Sequence, residues 1–267
     1  MERNIQEMLI GARRIVVKVG TSSLTYANGK LHIHRIELLA RQLADLQNSG
    51  REMVLVSSGA VGAGLGKLGL SARPRVMPQI QALSAVGQGI LMQSYEKFFG
   101  EYGVNVAQLL LTKEDFEDKA RYSSLENTMA ALLDYGVVPI VNENDPTVFR
   151  ELKVGDNDTL AALVAGAVQA DLLVLLSDID GLYTADPRSN AAAELIPVVH
   201  GVTPEIEAMA GGTGSSLASG GMATKLKAAK MANAAGVPMV LTNSSHDNVL
   251  LELAEGKLAG TIFLPGE

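Results

Sequence analysis

The stretch TLAALVAGAVQADLLVLL, residues 159–176, decides the fold. Taken whole, it approaches the ~20 apolar residues of a membrane-spanning helix. But Gln169, Ala170 and Asp171 interrupt it, and its two halves differ in kind. The Ala-rich first half suits a helix over 157–169, whereas LLVLL at 172–176 suits a buried strand. Helix followed by strand is therefore the expectation, and a membrane span is not.

Working outward, the same alternation repeats. RRIVVKVG (13–20) reads as a buried strand. HRIELLARQLADLQNSG (34–50) reads as a helix, with Ile36, Leu39, Ala40, Leu43 and Leu46 at helical spacing and Gly50 as its stop. EMVLVSSGA (52–60) is a strand running into a Gly-rich turn, and a long helix is expected over 77–99. VNVAQLLL (104–111) is a strand, 123–135 a helix, and VVPIVNEND (137–145) a strand. After DLLVLLSD (171–178) come helices at about 204–210 and 222–235, the strand VPMVLT (237–242), then NVLLELAEG (248–256) and GTIFL (260–264). Strands alternating with helices define an α/β fold, a mainly parallel sheet covered on both faces.

In such sheets ligands bind beyond the carboxyl ends of the strands. The positions there are Gly20, Thr21 and Ser22; Ser57, Ser58 and Gly59; residues 142–145; and Ser177 with Asp178. All are small or polar, where packing alone would favour large aliphatics.

The 267 residues are 47% hydrophobic, enough for a full core of one large domain or two lobes. Lys plus Arg is 22 against 29 Asp plus Glu, a net charge of −7, which disfavours nucleic acid or an anionic membrane as main partner. An anionic ligand would have to be held by a few local cations. No cysteine is present, which excludes disulfides, thiolate metal sites and thiol catalysis. MERNIQEMLIGARR (1–14) is not a signal peptide, so a cytoplasmic location is expected.

Two polar knots lie close together, NEND (142–145) and GDND (155–158). They can cap a helix, hold a metal or grip a small polar substrate. The D-x-D start resembles a calcium loop, but the glycine at position six and glutamate at twelve are missing. Asp156 or Asn157 can cap the helix that follows. GLGKLG (64–69) fits G-x-G-x-x-G but begins past the strand end, and no acidic residue follows until Glu96, so it fails as a dinucleotide fingerprint. Leu68 after Gly-Lys excludes a P-loop. The histidines at 32, 34, 200 and 246 are scattered. The Gly/Ser-rich segment 211–221 suits a hinge or a phosphate-contacting loop.

Two lysines stand apart from the solvated surface. Lys18 lies within an apolar strand, where an unpaired ammonium is costly unless an anion faces it. Its plainer role is a strand-end lysine that snorkels to solvent. Lys225 lies in the first turn of a helix, against the macrodipole, a placement tolerable on a solvated face but useful if an anion sits at that N-terminus. Gly/Ser turns, two distant lysines and clustered carboxylates suit phosphoryl transfer, which asks for positioning and charge neutralisation.

VVKVGTSSLT, VSSGAVGAG, VNEND, KVGDNDTLAALVA, LLSDIDGLYTADPR and SGGMATKLKAA, in this order, resemble the glutamate 5-kinase family from about residue 14 to 264. The resemblance implies a three-layer α/β/α sandwich around a mainly parallel open sheet. It implies one amino acid kinase domain over 1–267, with an amino-acid-binding lobe at about 1–170 and a nucleotide-binding lobe at about 171–267. The implied reaction is ATP plus L-glutamate to ADP plus L-glutamyl 5-phosphate with Mg²⁺, the first step of proline synthesis from glutamate. Carried over by position, Lys18 and Lys225 neutralise the transferring phosphoryl group and Asp158 holds both lysines. Ser58, Asp145 and Asn157 match glutamate-binding positions. Lys18, Gly20, Thr21, Ser22, Ser177, Asp178 and the loop Ser219, Gly220, Gly221, Met222, Ala223, Thr224 and Lys225 match nucleotide contacts. No protein metal ligand is implied, since ATP phosphates would hold the Mg²⁺. The chemistry agrees: glutamate's ammonium needs an acceptor such as Asp145, and its carboxylates need donors such as Ser58 and Asn157. Feedback inhibition by proline and a dimer or tetramer are also implied. Many members carry a further C-terminal RNA-modification-type (PUA) domain, which does not follow the kinase portion here.

The rivals on the same fold are acetylglutamate kinase, aspartokinase and uridylate kinase, against which NEND and VGDNDTLAA speak through the resemblance. A dinucleotide oxidoreductase lacks its ribose-binding acid. A non-catalytic amino-acid sensor would not need both lysines.

Overall fold

A computed structural model describes residues 2–147, 154–187, 190, 192–210 and 221–266. The chain begins with α1 (Glu2–Gly11), β1 (Arg14–Val19), α2 (Thr21–Leu24), α3 (Ile33–Asn48), β2 (Glu52–Ser57), α4 (Ala60–Leu68) and α5 (Met77–Glu101). It continues through β3 (Val106–Leu111), α6 (Glu114–Glu117), α7 (Lys119–Asp134), β4 (Val138–Glu143), α8 (Asn157–Ala167) and β5 (Leu172–Ser177). The remainder is β6 (Val198–His200), α9 (Pro204–Ala210), α10 (Met222–Ala234), β7 (Met239–Asn243), α11 (Val249–Ala254) and β8 (Thr261–Leu264). The deciding stretch is helix then strand, α8 then β5, and no helix among the described residues is long and apolar enough to cross a membrane.

The chain divides into two compact units, Val19–Asn157 and Met1–Lys18 with Asp158–Glu267. In the Val19–Asn157 unit the strands lie in the order β3-β4-β2, all parallel, with Leu55 beside Ile140 and Gln108 beside Ile140. β2 and β4 are buried almost throughout, and the outer strand β3 is half exposed. In the other unit the order is β1-β5-β7-β8-β6. β5 runs parallel to β7 and β6 to β8, while β8 meets β7 antiparallel. This is the α/β architecture that the alternation predicts.

Beyond the unanticipated helices α1, α2 and α6, three departures from expectation have a physical reason. After β2 the predicted Gly-rich turn is the helix α4, although it contains Gly62, Gly64 and Gly66. Glycine costs ~1 kcal/mol against alanine in a helix interior, but here side chains would not fit. A Cβ on Gly64 would meet the carbonyl of Leu83, and one on Gly66 the carbonyl of Gly29. Gly87 of α5 presses on α4 in return, its missing Cβ pointing at the Ala60 carbonyl. Gly64 and Gly87 therefore bring α4 and α5 to backbone contact, while Gly66 lets α4 approach the turn at Gly29. α7 begins at Lys119 rather than 123, because the Asp118 carboxylate accepts from the N–H groups of Ala120 (3.0 Å) and Arg121 (2.9 Å). β6 is three residues long, too short for a periodic signal.

The largest fully buried side chains of the Val19–Asn157 unit include Tyr95 and Phe99 on α5. Burial pushes the Tyr95 phenol well above its ordinary range, so it stays neutral, and its hydroxyl bonds to Ser57 Oγ at 2.8 Å.

Candidate active site

In the Met1–Lys18 and Asp158–Glu267 unit, β1 carries Lys18 one residue before its end, and α8 carries Asp158 in its first turn. α10 carries Lys225 in its own first turn, after the N-cap Gly221. All three side chains are buried, with Asp158 1% exposed, Lys225 5% and Lys18 8%. Lys18 Nζ pairs with Asp158 Oδ1. Lys225 Nζ lies 3.1 Å from Asp158 Oδ2, and Thr224 Oγ1 donates to that oxygen at 3.3 Å. Burial by itself would raise the Asp158 pKa, but the charges and hydrogen bonds of Lys18 and Lys225 outweigh it and hold the carboxyl below its usual range. Two buried ammonium groups thus converge on one carboxylate. Buried ammonium groups are costly unless anions face them.

Ser177 and Asp178 follow in the same unit, at the end of β5. Ser177 is buried and donates to Asp178 Oδ1 at 3.1 Å, while Asp178 faces solvent. Gly221, Met222 and Ala223 form the N-terminal edge of α10, where the first N–H groups lack intrahelical acceptors. Ser219 and Gly220 lie outside the described residues.

In the Val19–Asn157 unit, Gly20 caps the short α2, and Thr21 and Ser22 are exposed at its start. Ser58 follows β2 and is positioned by Gly59, whose φ of 101° is left-handed and favours glycine. Asn157 Nδ2 donates to Ser58 Oγ (2.8 Å), to Asn142 Oδ1 (2.9 Å) and to the Ser57 carbonyl (3.3 Å). The two polar knots are thus hydrogen-bonded to each other through Asn142 and Asn157. Asp145 Oδ2 accepts from Ser84 Oγ at 3.0 Å, and Asn142 Nδ2 donates to Gln88 Oε1 at 3.0 Å. Glu143 Oε1 accepts from the Val154 N–H at 2.7 Å.

Sequence reasoning missed Ser84 and Gln88, and it marked Asn142 only as a member of the NEND knot, without a role of its own. One signal was present: Ser84 and Gln88 are polar residues four apart on the face of α5 that also carries Leu91 and Tyr95, and all four are buried. Buried polar groups one helical turn apart imply polar partners.

The chain belongs to the amino acid kinase family, whose model matches residues 13–243. More particularly, it is 56% identical over 263 residues to the glutamate 5-kinase of Clostridium tetani, covering 98% of both chains. It is 54% identical over 266 residues to that of Moorella thermoacetica, covering 100% of this chain and 70% of the other. With the glutamate 5-kinase of Clostridium acetobutylicum it shares 51% identity over 260 residues, 97% of each chain.

Proposed function

We propose that this chain is an ATP-dependent glutamate 5-kinase, transferring the γ-phosphoryl group of ATP to the γ-carboxylate of L-glutamate. The product is L-glutamyl 5-phosphate, which opens proline synthesis from glutamate. The observation that carries this is the buried Lys18–Asp158–Lys225 cluster, in which the charges of two lysines converge on one carboxylate. The relatives' shared activity gives that charge a substrate.

Glutamate's γ-carboxylate is ionised near neutral pH and is itself the nucleophile. One of its oxygens forms a bond to the γ-phosphorus while the bond to the β,γ-bridging oxygen breaks. ADP leaves with that electron pair, and no proton need move. Two anions must approach for this, and Lys18 and Lys225 oppose their repulsion where the dielectric is low. Asp158 fixes both ammonium groups. The N-terminal edge of α10 at Gly221, Met222 and Ala223 offers N–H groups and a positive helix end to the phosphates, with Thr224 as a further proposed contact. Gly20, Thr21, Ser22, Ser177, Asp178, Ser219 and Gly220 complete the proposed nucleotide contacts. Ser58, Asp145 and Asn157 bind the amino acid, so acceptor binding falls to the part up to about residue 170, and nucleotide binding mainly to the part beyond, joined by Lys18, Gly20, Thr21 and Ser22.

The family implies Mg²⁺, which would offset phosphate charge. Among the described residues no three acidic or imidazole side chains converge as a metal cage, and the Asp158 carboxylate is taken by two lysines. The ion would therefore be held by ATP phosphates and water. Proline, which shares glutamate's α-carboxylate and amine nitrogen, is proposed as a feedback inhibitor. A homo-oligomeric, cytoplasmic enzyme is proposed with it.

The test is ATP consumption with glutamate, N-acetylglutamate, aspartate and UMP in parallel, trapping acyl phosphate with hydroxylamine. Glutamate hydroxamate is the expected product. Turnover of another acceptor with none of glutamate would overturn the proposal.

A further inference from the structure

The orientation of the Asn157 amide is fixed by two backbone groups. A backbone N–H can only donate, and that of Glu143 donates at 2.9 Å to the Asn142 side chain, so the atom there is Oδ1. Asn142 therefore turns Nδ2 toward Gln88, whose facing atom must be the acceptor Oε1. Asn142 Oδ1 also faces the Asn157 amide, which must present Nδ2. The Ser57 carbonyl, an acceptor only, demands the same orientation from the other side. The Nδ2 group of Asn157 is engaged by Ser57, Ser58 and Asn142 together, which exhausts its two protons. What Asn157, half-buried, can offer a ligand is its carbonyl oxygen Oδ1.

We propose that Gln88 is a positioning residue for the acceptor substrate. Through Asn142 it holds Asn157 with Oδ1 outward, so that Asn157 accepts from the α-ammonium of the amino acid instead of donating to a carboxylate. Ser84, one turn earlier on α5, holds the second acceptor, Asp145. A free ammonium has three protons to give to two such acceptors, whereas an N-acylated nitrogen has one and no charge. The Gln88–Asn142–Asn157 relay thereby sets the preference for a free amino acid over its N-acyl form. Gln88 and Asn142 are 7% and 4% exposed, so water cannot readily replace a lost partner.

This inference rests on the glutamate reading above, and the experiment separates the two. Gln88→Leu removes the acceptor that Asn142 needs, and Gln88→Glu retains one. For Gln88→Leu the KM for glutamate should rise about five- to tenfold, the size of one lost buried hydrogen bond. The KM for ATP should hold, the discrimination against N-acetylglutamate should narrow, and Gln88→Glu should restore most of both. Gln88→Met serves in its place should the leucine variant not fold. Unchanged glutamate KM and discrimination would overturn the proposal, as would equal losses toward glutamate and ATP, which mark a merely structural role. A second readout needs no turnover: the Asn157 side-chain NH₂ resonances of the ligand-free protein, assigned by their loss in Asn157→Ala. In the unmodified protein they should exchange slowly with water, and in Gln88→Leu they should shift and exchange faster. Identical resonances in both would sink the relay even if glutamate is the substrate. Failure of the unmodified chain to phosphorylate glutamate would instead sink the functional reading and leave the relay to the resonances.

Discussion

Lys225 Nζ lies 3.1 Å from one oxygen of Asp158, and Lys18 pairs with the other. A carboxylate shared in this way survives the loss of either cation, because the other still neutralises it. Lys18→Ala and Lys225→Ala are therefore expected to fold while losing ~10²–10³ in kcat, the typical size of one missing electrostatic contact to a transition state. Steady-state kinetics with hydroxylamine trapping measure this. Near-normal turnover by either variant would remove that lysine from the chemistry.

Replacing the shared carboxylate is different. Asp158→Asn takes from two buried ammonium groups the carboxylate they share, at a cost of ~3–5 kcal/mol near neutral pH. The sign with pH follows from the lowered pKa of Asp158. A carboxyl held below its unfolded value of ~3.9 stabilises the fold above that pH, and this is lost as pH falls through the folded value. The stability gap between the unmodified protein and Asp158→Asn should therefore be full at pH 5–7 and close on acidification below about 4. Urea unfolding across that range is the measurement, and a gap that stays constant would contradict the pairing.

Ser84→Ala removes the donor to Asp145 without touching any lysine. The expected result is a KM for glutamate raised several-fold, consistent with losing one part-buried hydrogen bond, ~1 kcal/mol. The KM for ATP should not move. Equal changes in both constants would show that Ser84 supports the fold and not the acceptor site.

Gly87→Ala places a methyl group against the Ala60 carbonyl, where backbone must yield. Overpacking of this kind costs ~1–3 kcal/mol, so Tm should fall by about 3–10 °C. Calorimetry decides, and an unchanged Tm would mean that α4 and α5 can separate freely.

Much of the scaffold was legible because it is written in short apolar runs. LLVLLS of β5 and VPIVNE of β4 are buried along their whole length, and their hydrophobicity announces them. α4 was not legible, since three glycines in nine residues argue for a turn until the opposing backbone of α5 is known. Lys18, Asp158 and Lys225 come together from sites 140 and 67 residues apart. Local reasoning marked the two lysines as odd, but only the family resemblance linked them to Asp158. Gln88 escaped because a polar residue in a 25-residue helix looks solvent-facing. Its burial depends on α4 and β4, which no local pattern reveals.

Ser84 and Gln88 sit one turn apart on α5, and each holds one end of NEND. Retargeting this enzyme to a different acceptor is consequently not a matter of repainting the cavity wall. A new residue at 142 or 145 inherits a helix behind it that still expects the old hydrogen-bond polarity. A designer would have to edit strand and helix as a matched pair, and libraries confined to pocket-facing positions should yield few functional variants.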